Sequence, residues 1–435
     1  MDVDLIKNTT VANVYKGDRL AATLTRGSSS TTFEYVPGYV ESGGAAVAHT
    51  LPASPEAKPV RTENGALPAF FAGLLPEGFR FSRFAQELKV SASDEFKLLL
   101  AVGGNVPGDV RVIPRASDIN VNTAENDDHN NDDDNHEQHD DDYVAEVGID
   151  ADLDFSRLAA TTDSVALPGV QGKVSAGRSR RPGTTQRWTV IRPSARERSA
   201  NQYILKYDTS SFPLLSRNER AHLEAARALG IPVETADLIE DIHGVDGLLV
   251  DRFDRTIAPR TTKITRLAME DASQLLGLPP AAKYDPTTEE VAFALADACD
   301  VRPVARRNLF LQTAFAYLVG NGDLHAKNYS VLQNLAGQWT MSPIYDVSCT
   351  LVYGDHTMAL SIAGKKKDVR IAHWIEFAET IGLPSKAAVA SLKRALSAAR
   401  TVDLAGIGFS GSTLSGARRV LSKRHDETAR DLDRQ

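Results

Sequence analysis

Asp323, Asn328 and Asp346 are the residues of this 435-residue chain whose types and spacing could do chemistry. Asp323 and Asn328 stand five positions apart in Asn321-Gly-Asp-Leu-His-Ala-Lys-Asn328, a polar stretch between apolar runs, and Asp346 follows the apolar run 339–345. Carboxylate and amide oxygens are the hard ligands that Mg²⁺ takes, and a carboxylate near an acceptor hydroxyl can receive its proton. The set therefore suits transfer of a phosphoryl group, where a metal must neutralise phosphate oxygens while a base orients the nucleophile. Asn-Gly and Gly-Asp pairs are also common in turns, so the loop alone retains a plain turn reading. His325 is read as a catalytic candidate that either shuttles protons or holds the loop by hydrogen bonds. Lys327 either approaches phosphate or is solvated.

Further pieces lie upstream. Leu167-Pro-Gly-Val-Gln-Gly-Lys173 offers Gly169, Val170, Gln171, Gly172 and Lys173 as a phosphate-covering loop, with backbone N–H groups facing oxygens. It fits neither common glycine-rich phosphate motif, and a β-turn is its bland reading. Lys206 ends the strand-like Tyr203-Ile-Leu-Lys206, from which a lysine can reach the α- and β-phosphates, and Glu219 in the next helix can pair with it. An edge-strand lysine and a helix-dipole glutamate are the alternatives. Leu248-Leu-Val-Asp-Arg-Phe-Asp254 leaves an apolar strand where a hinge would offer backbone groups near Asp251 and Phe253 to adenine. Phosphate loop, lysine strand, helix glutamate, hinge, catalytic loop and metal aspartate is the order found in protein kinases. That order carries more than any one piece.

The elements that must position these groups are legible in outline. Residues 9–15 and 19–25 flank Lys16-Gly17-Asp18 as a hairpin, and 32–36 is a further strand. Helical spacing follows over 79–88 and 93–100. Asn218–Leu229 reads as a helix capped by Gly230, 236–242 and 247–250 as a hairpin, and about 308–319 as an apolar helix ending at Gly320. The tail from Lys386 to Arg434 is helical. Strands followed by helices argue for an α+β, two-lobed architecture. The expected divisions are an N-terminal β/α subdomain 1–116, an acidic insert 117–143, a nucleotide-binding lobe 144–258 and a mainly helical catalytic lobe 259–435.

Composition limits the function classes. The insert carries eleven Asp/Glu and no Lys or Arg, so the net charge of −8 belongs to it and the remainder carries +3. Its apolar content is too low to offset ordering entropy, and a disordered loop is expected. His129, His136 and His139 there leave weak divalent binding as the rival reading. Cys299 and Cys349 form no CxxC pair, which points away from a disulfide framework or zinc site and fits a reducing cytoplasm. Met1–Lys7 lacks the pattern of a secretory signal, and no apolar run is long enough to span a membrane.

Phe71-Ala-Gly-Leu-Leu-Pro-Glu-Gly-Phe79, Leu98-Leu-Leu-Ala-Val-Gly-Gly104, Leu167–Lys173, Leu248–Arg255, Asn321–Ser330 and Pro343-Ile-Tyr-Asp-Val347 together resemble the HipA-family serine/threonine kinases, toxins of bacterial toxin–antitoxin modules. The resemblance spans nearly the whole chain except the acidic insert. It implies a fold related to protein and lipid kinases with a family-specific N-terminal subdomain. It implies ATP and Mg²⁺ as cofactors, Asp323 as catalytic aspartate, Asn328 and Asp346 as metal ligands, Lys206 on the ATP phosphates, and adenine held around Asp251 and Phe253. It also implies a helix-turn-helix antitoxin of the HipB type, DNA contact only through that antitoxin, no membrane, and a protein substrate such as an aminoacyl-tRNA synthetase. Relatives of that kind halt translation and promote dormancy. One position departs from the pattern. The serine that relatives autophosphorylate near the phosphate loop is replaced by Ala166, with Ser164 two residues earlier and Ser175 after the lysine. Self-silencing at Ser164 is not expected. A small-molecule phosphotransferase shares the Asp/Asn/Asp logic, and a non-catalytic antitoxin-binding corepressor is the third class. The N-terminal Gly-Leu-Leu-Pro-Glu-Gly segment argues against the former and the joint presence of Lys206, Asp323, Asn328 and Asp346 against the latter.

Overall fold

The computed structural model describes residues 3–77, 81–82, 85–86, 88–91, 93–115, 154–155, 172–179, 187–190, 203–257 and 264–434. The acidic insert, Ser164, Ala166, Gly169, Val170 and Gln171, and part of the helix expected over 79–88, lie outside the described residues.

The N-terminal region is an antiparallel sheet of β1 (Val11–Lys16), β2 (Arg19–Arg26), β3 (Ser30–Tyr35), β4 (Val60–Glu63) and β5 (Val110–Pro114), in the order β4-β3-β2-β1-β5. The β1–β2 hairpin turns at Gly17, whose φ of +59° is readily available to glycine. Ala12 and Val14 alternate inward along β1. They meet Phe33, Phe71, Phe96 and Leu99 in a core shared with the helices Ala69–Gly73 and Glu95–Val102. Fully burying each such side chain is worth roughly 1.5–3 kcal/mol. The second of these helices begins at Asp94, whose carboxylate accepts from the Lys97 N–H.

A second five-stranded sheet contains β6 (Gly172–Ser179), β7 (Arg187–Val190), β8 (Tyr203–Tyr207), β9 (Ala236–Glu240) and β10 (Asp246–Asp251), ordered β7-β6-β8-β10-β9. The helix Leu215–Ala226 packs against it, begins three residues before the expected Asn218, and ends through a 3₁₀ turn at Gly230 with φ +67°. A ribbon of β11 (Arg255–Ile257) and β12 (Ile264–Arg266) runs across the expected 258/259 boundary.

The C-terminal lobe is mainly helical around a small sheet of β13 (Met269–Asp271), β14 (Ser330–Gln333) and β15 (Trp339–Met341). Its central helix, Arg302–Val319, starts earlier than the apolar pattern suggests, because its first turns carry Arg302, Arg306 and Arg307 near the surface. Every residue from Leu309 to Val319 is buried, as expected of a helix through the middle of a lobe. The architecture is α+β and two-lobed, with the N-terminal sheet added to it. Among the described residues no helix is long and apolar enough to cross a membrane.

Candidate active site

A cleft of about 410 Å³ is lined from both lobes and from the N-terminal region. Lys206, Glu219 and Phe253 face it from the nucleotide side, Asp323, His325, Asn328 and Asp346 from the helical side, and Gly73, Leu74, Glu77 and Pro107 from the N-terminal region.

The catalytic-loop candidate starts where the central helix stops. Gly320 caps that helix with φ +76°, and a Cβ there would lie 2.5 Å from the Leu351 side chain. A Cβ on Gly322 would lie 2.4 Å from the Thr357 carbonyl oxygen. Only glycine allows the loop to leave the helix this tightly. The loop is then tied internally. The Asp323 N–H donates to Asn321 Oδ1 at 3.0 Å, the Asn328 side-chain amide donates to the Asp323 carbonyl at 2.9 Å, and the His325 carbonyl accepts from the Asn328 N–H at 2.9 Å. With its nitrogen engaged, the Asn328 amide has its oxygen left as the donor atom for a cation.

Asp346 arrives differently from its sequence pattern. The apolar run 339–345 forms a strand only as far as Met341, two residues before Pro343, which has no N–H to give to a ladder. Ile344 is instead clamped to the 232–234 segment, accepting from the Glu234 N–H at 2.9 Å and donating to the Pro232 carbonyl at 2.9 Å. Asp346 then adopts φ +54°, a conformation that Asp tolerates better than most residues. Beyond it, the Asn218 side chain exchanges two 3.0 Å hydrogen bonds with the Cys349 backbone. The loop is thereby fixed to the helix that carries Glu219.

Lys206 on β8 joins the two lobes. Its ammonium is 2.5 Å from Glu219 Oε1 and 3.0 Å from Asp346 Oδ1, in a nearly dry setting. Burial opposes its charge, but Asp346, Glu219 and Glu234 outweigh that and hold its pKa above the ordinary lysine value. The Asp323 side chain is half exposed to the cleft. Burial of its surroundings, followed by the Asp346 carboxylate, pushes its pKa up to about 6. Two carboxylates that repel each other beside an amide oxygen form a donor set that fits Mg²⁺.

The other expected residues sort as follows. Phe253 lines the cleft, its ring 5.5 Å from that of Tyr345. Asp251 does not: it is exposed at the end of β10, and its N–H is engaged by the Thr235 carbonyl at 2.8 Å, so that group is not the adenine contact expected of it. Gly172 and Lys173 enter β6, and Lys173 pairs in register with Lys206. His325 Nε2 stands 4.0 Å from Asp323 Oδ1, too far for a hydrogen bond. Burial, then Lys283, pushes the imidazole pKa down to about 4, so it is neutral near pH 7, and its Nδ1 has no hydrogen-bond partner among the described residues. Lys327 is not the solvated lysine of one reading, and its donors are not free for phosphate as in the other. It is buried, donating to the Gly73 carbonyl and Asp271 Oδ2, each at 2.9 Å, with Glu77 at 3.8 Å.

Three cleft residues were not assigned roles from the sequence. Glu77 holds Lys283 at 2.6 Å, and its pKa is lowered because Lys327 and Lys283 overcome its burial. Tyr284, next to Lys283, donates its hydroxyl to Asp323 Oδ1 at 3.0 Å. Lys283 and Tyr284 belong to no spacing pattern, whereas Glu77 lies inside a segment already singled out.

Comparison with known proteins agrees with this architecture. The model of the HipA-like C-terminal domain matches residues 165–402, and that of the HipA N-terminal domain matches residues 12–113. The protein Y4mE of Sinorhizobium fredii is 30% identical over 332 residues, covering 72% of this chain and 73% of the relative. The serine/threonine-protein kinase toxin HipA of Shewanella oneidensis is 23% identical over 408 residues, covering 89% and 87%. The solved structure of the Shewanella oneidensis MR-1 toxin HipA, in a complex with HipB and its operator DNA, superposes with a TM-score of 0.70 at 18% identity, covering 97% of this chain and 98% of that one.

Proposed function

The chain belongs to the HipA family, and we propose that it is an ATP- and Mg²⁺-dependent serine/threonine protein kinase acting as the toxin of a toxin–antitoxin module. The observation that carries this reading is the convergence of Lys206, Asp323, Asn328 and Asp346 on one cleft from separate elements.

Lys206, kept charged by Glu219 and Asp346, would bind the α- and β-phosphates of ATP as a fixed cation. Phe253 would pack against the adenine side, and β6 would place Gly172 and Lys173 beside the phosphates. Asn328 and Asp346 would hold Mg²⁺, which when bound neutralises phosphate oxygens. Asp323 would orient the acceptor hydroxyl and receive its proton as the oxygen bonds to the γ-phosphorus. A carboxylate that faces the cleft is placed for this role. His325, neutral and without a hydrogen bond to Asp323, would support the loop rather than relay the proton.

An aminoacyl-tRNA synthetase is the candidate protein substrate, and a helix-turn-helix antitoxin of the HipB type is the proposed partner, with DNA reached only through it. The HipB-bound neighbour supports the partner reading. The proposed location is the cytoplasm. The deciding test is phosphoproteomics after induced expression of wild type and Asp323→Ala. Phosphosites and growth arrest specific to wild type are expected. Equal arrest by both forms with no wild-type-specific phosphosite would defeat the kinase-toxin reading.

A further inference from the structure

Lys283 and Tyr284 form a short strap at the mouth of the cleft, after the 3₁₀ turn Pro280–Ala282. The strap is held at both sides. The Lys283 carbonyl accepts from the Ala326 N–H of the catalytic loop at 3.1 Å, and the Lys283 ammonium is 2.6 Å from Glu77 of the N-terminal region. Tyr284 is therefore delivered to one place. Its ring meets the His325 ring edge-on at 5.1 Å, and its hydroxyl donates to Asp323 Oδ1 at 3.0 Å.

The hydroxyl is the part that packing does not explain. Tyr284 is 44% exposed, so its hydroxyl could be satisfied by water, and a phenylalanine would make the same ring contact with His325. Instead it donates to the carboxylate that, on the reading above, must accept from the substrate. We propose that Tyr284 is an acceptor-selecting residue: its phenol engages Asp323 Oδ1, the oxygen assigned here to the substrate hydroxyl, and so competes with water for it. This rests on the assignment of Asp323 as base.

The reaction that Tyr284 would suppress is ATP hydrolysis. There the water oxygen bonds to the γ-phosphorus, the bond from that phosphorus to the β,γ-bridging oxygen breaks, a water proton passes to Asp323, and ADP leaves. A serine or threonine presented on a docked protein can displace the phenol because the rest of the protein supplies binding energy. A free water has no such contribution. Glu77 gives the N-terminal region a part in this selection, since it anchors the strap from outside the two kinase lobes.

The test is phosphate release from ATP and Mg²⁺ by the purified full chain without any protein acceptor. Wild type, Tyr284→Phe and Tyr284→Ala are compared, each with and without Asp323→Ala, and melting curves verify folding. Tyr284→Phe should raise the Asp323-dependent release about tenfold or more, the scale of one hydrogen bond to a charged group. Tyr284→Ala should do the same if its fold is retained. Release by Tyr284→Phe at or below the wild-type rate overturns the proposal and leaves the kinase reading intact. A rise in Tyr284→Ala alone also overturns it, because the ring and not the hydroxyl would then be the barrier. Absence of Asp323-dependent release from every form likewise overturns the proposal, while the base assignment is decided separately by the phosphosites lost in Asp323→Ala.

Discussion

Two charge clusters, one buried at a junction and one open to the cleft, are built to opposite rules. At the junction with the N-terminal region, Asp254 is gripped by Arg252 at 2.9 Å and Arg255 at 2.7 Å and accepts from the Gly108 N–H at 2.8 Å. The two guanidinium groups are in turn satisfied by the Val106 and Gly108 carbonyls and Asn105 Oδ1. In the cleft, Lys206 faces Glu219 and Asp346, with the Asp323 carboxylate close enough to have its pKa raised by Asp346. The junction cluster is closed by protein donors and acceptors. The cleft cluster has more negative than positive charge and oxygen atoms directed at open volume. A closed network fixes one arrangement, while an open one is suited to a cation and phosphates that arrive later.

The comparison can be broken at the junction first. Asp254→Ala strands two buried guanidinium groups, so it should cost about 3–5 kcal/mol in chemical denaturation. It should also expose the 105–108 segment to proteolysis. A loss below about 1 kcal/mol would show that the junction is not closed by charge. The depressed pKa of Asp254, set by Arg252 and Arg255 against its burial, gives its pH signature. Its stabilisation is present above its unfolded pKa near 4 and is lost as pH falls through its lower folded pKa.

His222 should act at higher pH. It is fully buried, donates from Nδ1 to the Asn218 carbonyl at 2.7 Å, and burial pushes its pKa down to about 4. The unfolded chain takes up the proton near pH 6.5 while the folded chain refuses it. Stability therefore falls as pH drops from about 6.5 to 4, by up to about 3 kcal/mol. Denaturant titrations at several pH values should show this slope in wild type and a shallower one in His222→Gln, where the share due to buried His325 remains.

The cleft should respond least in stability. Asp346→Asn removes a charge that repels Asp323, leaves Lys206 paired with Glu219, and suits φ +54° as well as Asp does. Its stability should stay within about 1 kcal/mol of wild type, while Mg²⁺-dependent ATP binding, followed by calorimetry, should be lost. A large destabilisation would mean that Asp346 is as structural as Asp254.

Much of this was legible because local rules reach it. The Gly17 hairpin, the Gly230 and Gly320 helix stops and the all-buried segment 309–319 follow from turn chemistry and apolar periodicity. Asp323 and Asn328 were visible because both sit in one loop at fixed spacing. β15 stops at Met341 although apolar residues recur at Ile344 and Tyr345, because Pro343 has no N–H for the ladder and Ile344 is clamped on the 232–234 segment. Neither reading of Lys327, toward phosphate or toward solvent, reaches its true partners, because Asp271 and the Gly73 carbonyl are 56 and 254 positions away from it.

The chemical inventory of oxygen ligands, a base, a strand lysine and their order was readable from residue types and short spacings alone. Tertiary structure decided which of them meet. It placed Asp346 3.0 Å from Lys206 across 140 positions, and it set the Tyr284 hydroxyl on Asp323 across 39. Such pairings depend on how helices and sheets pack over the whole chain, and no local propensity encodes them.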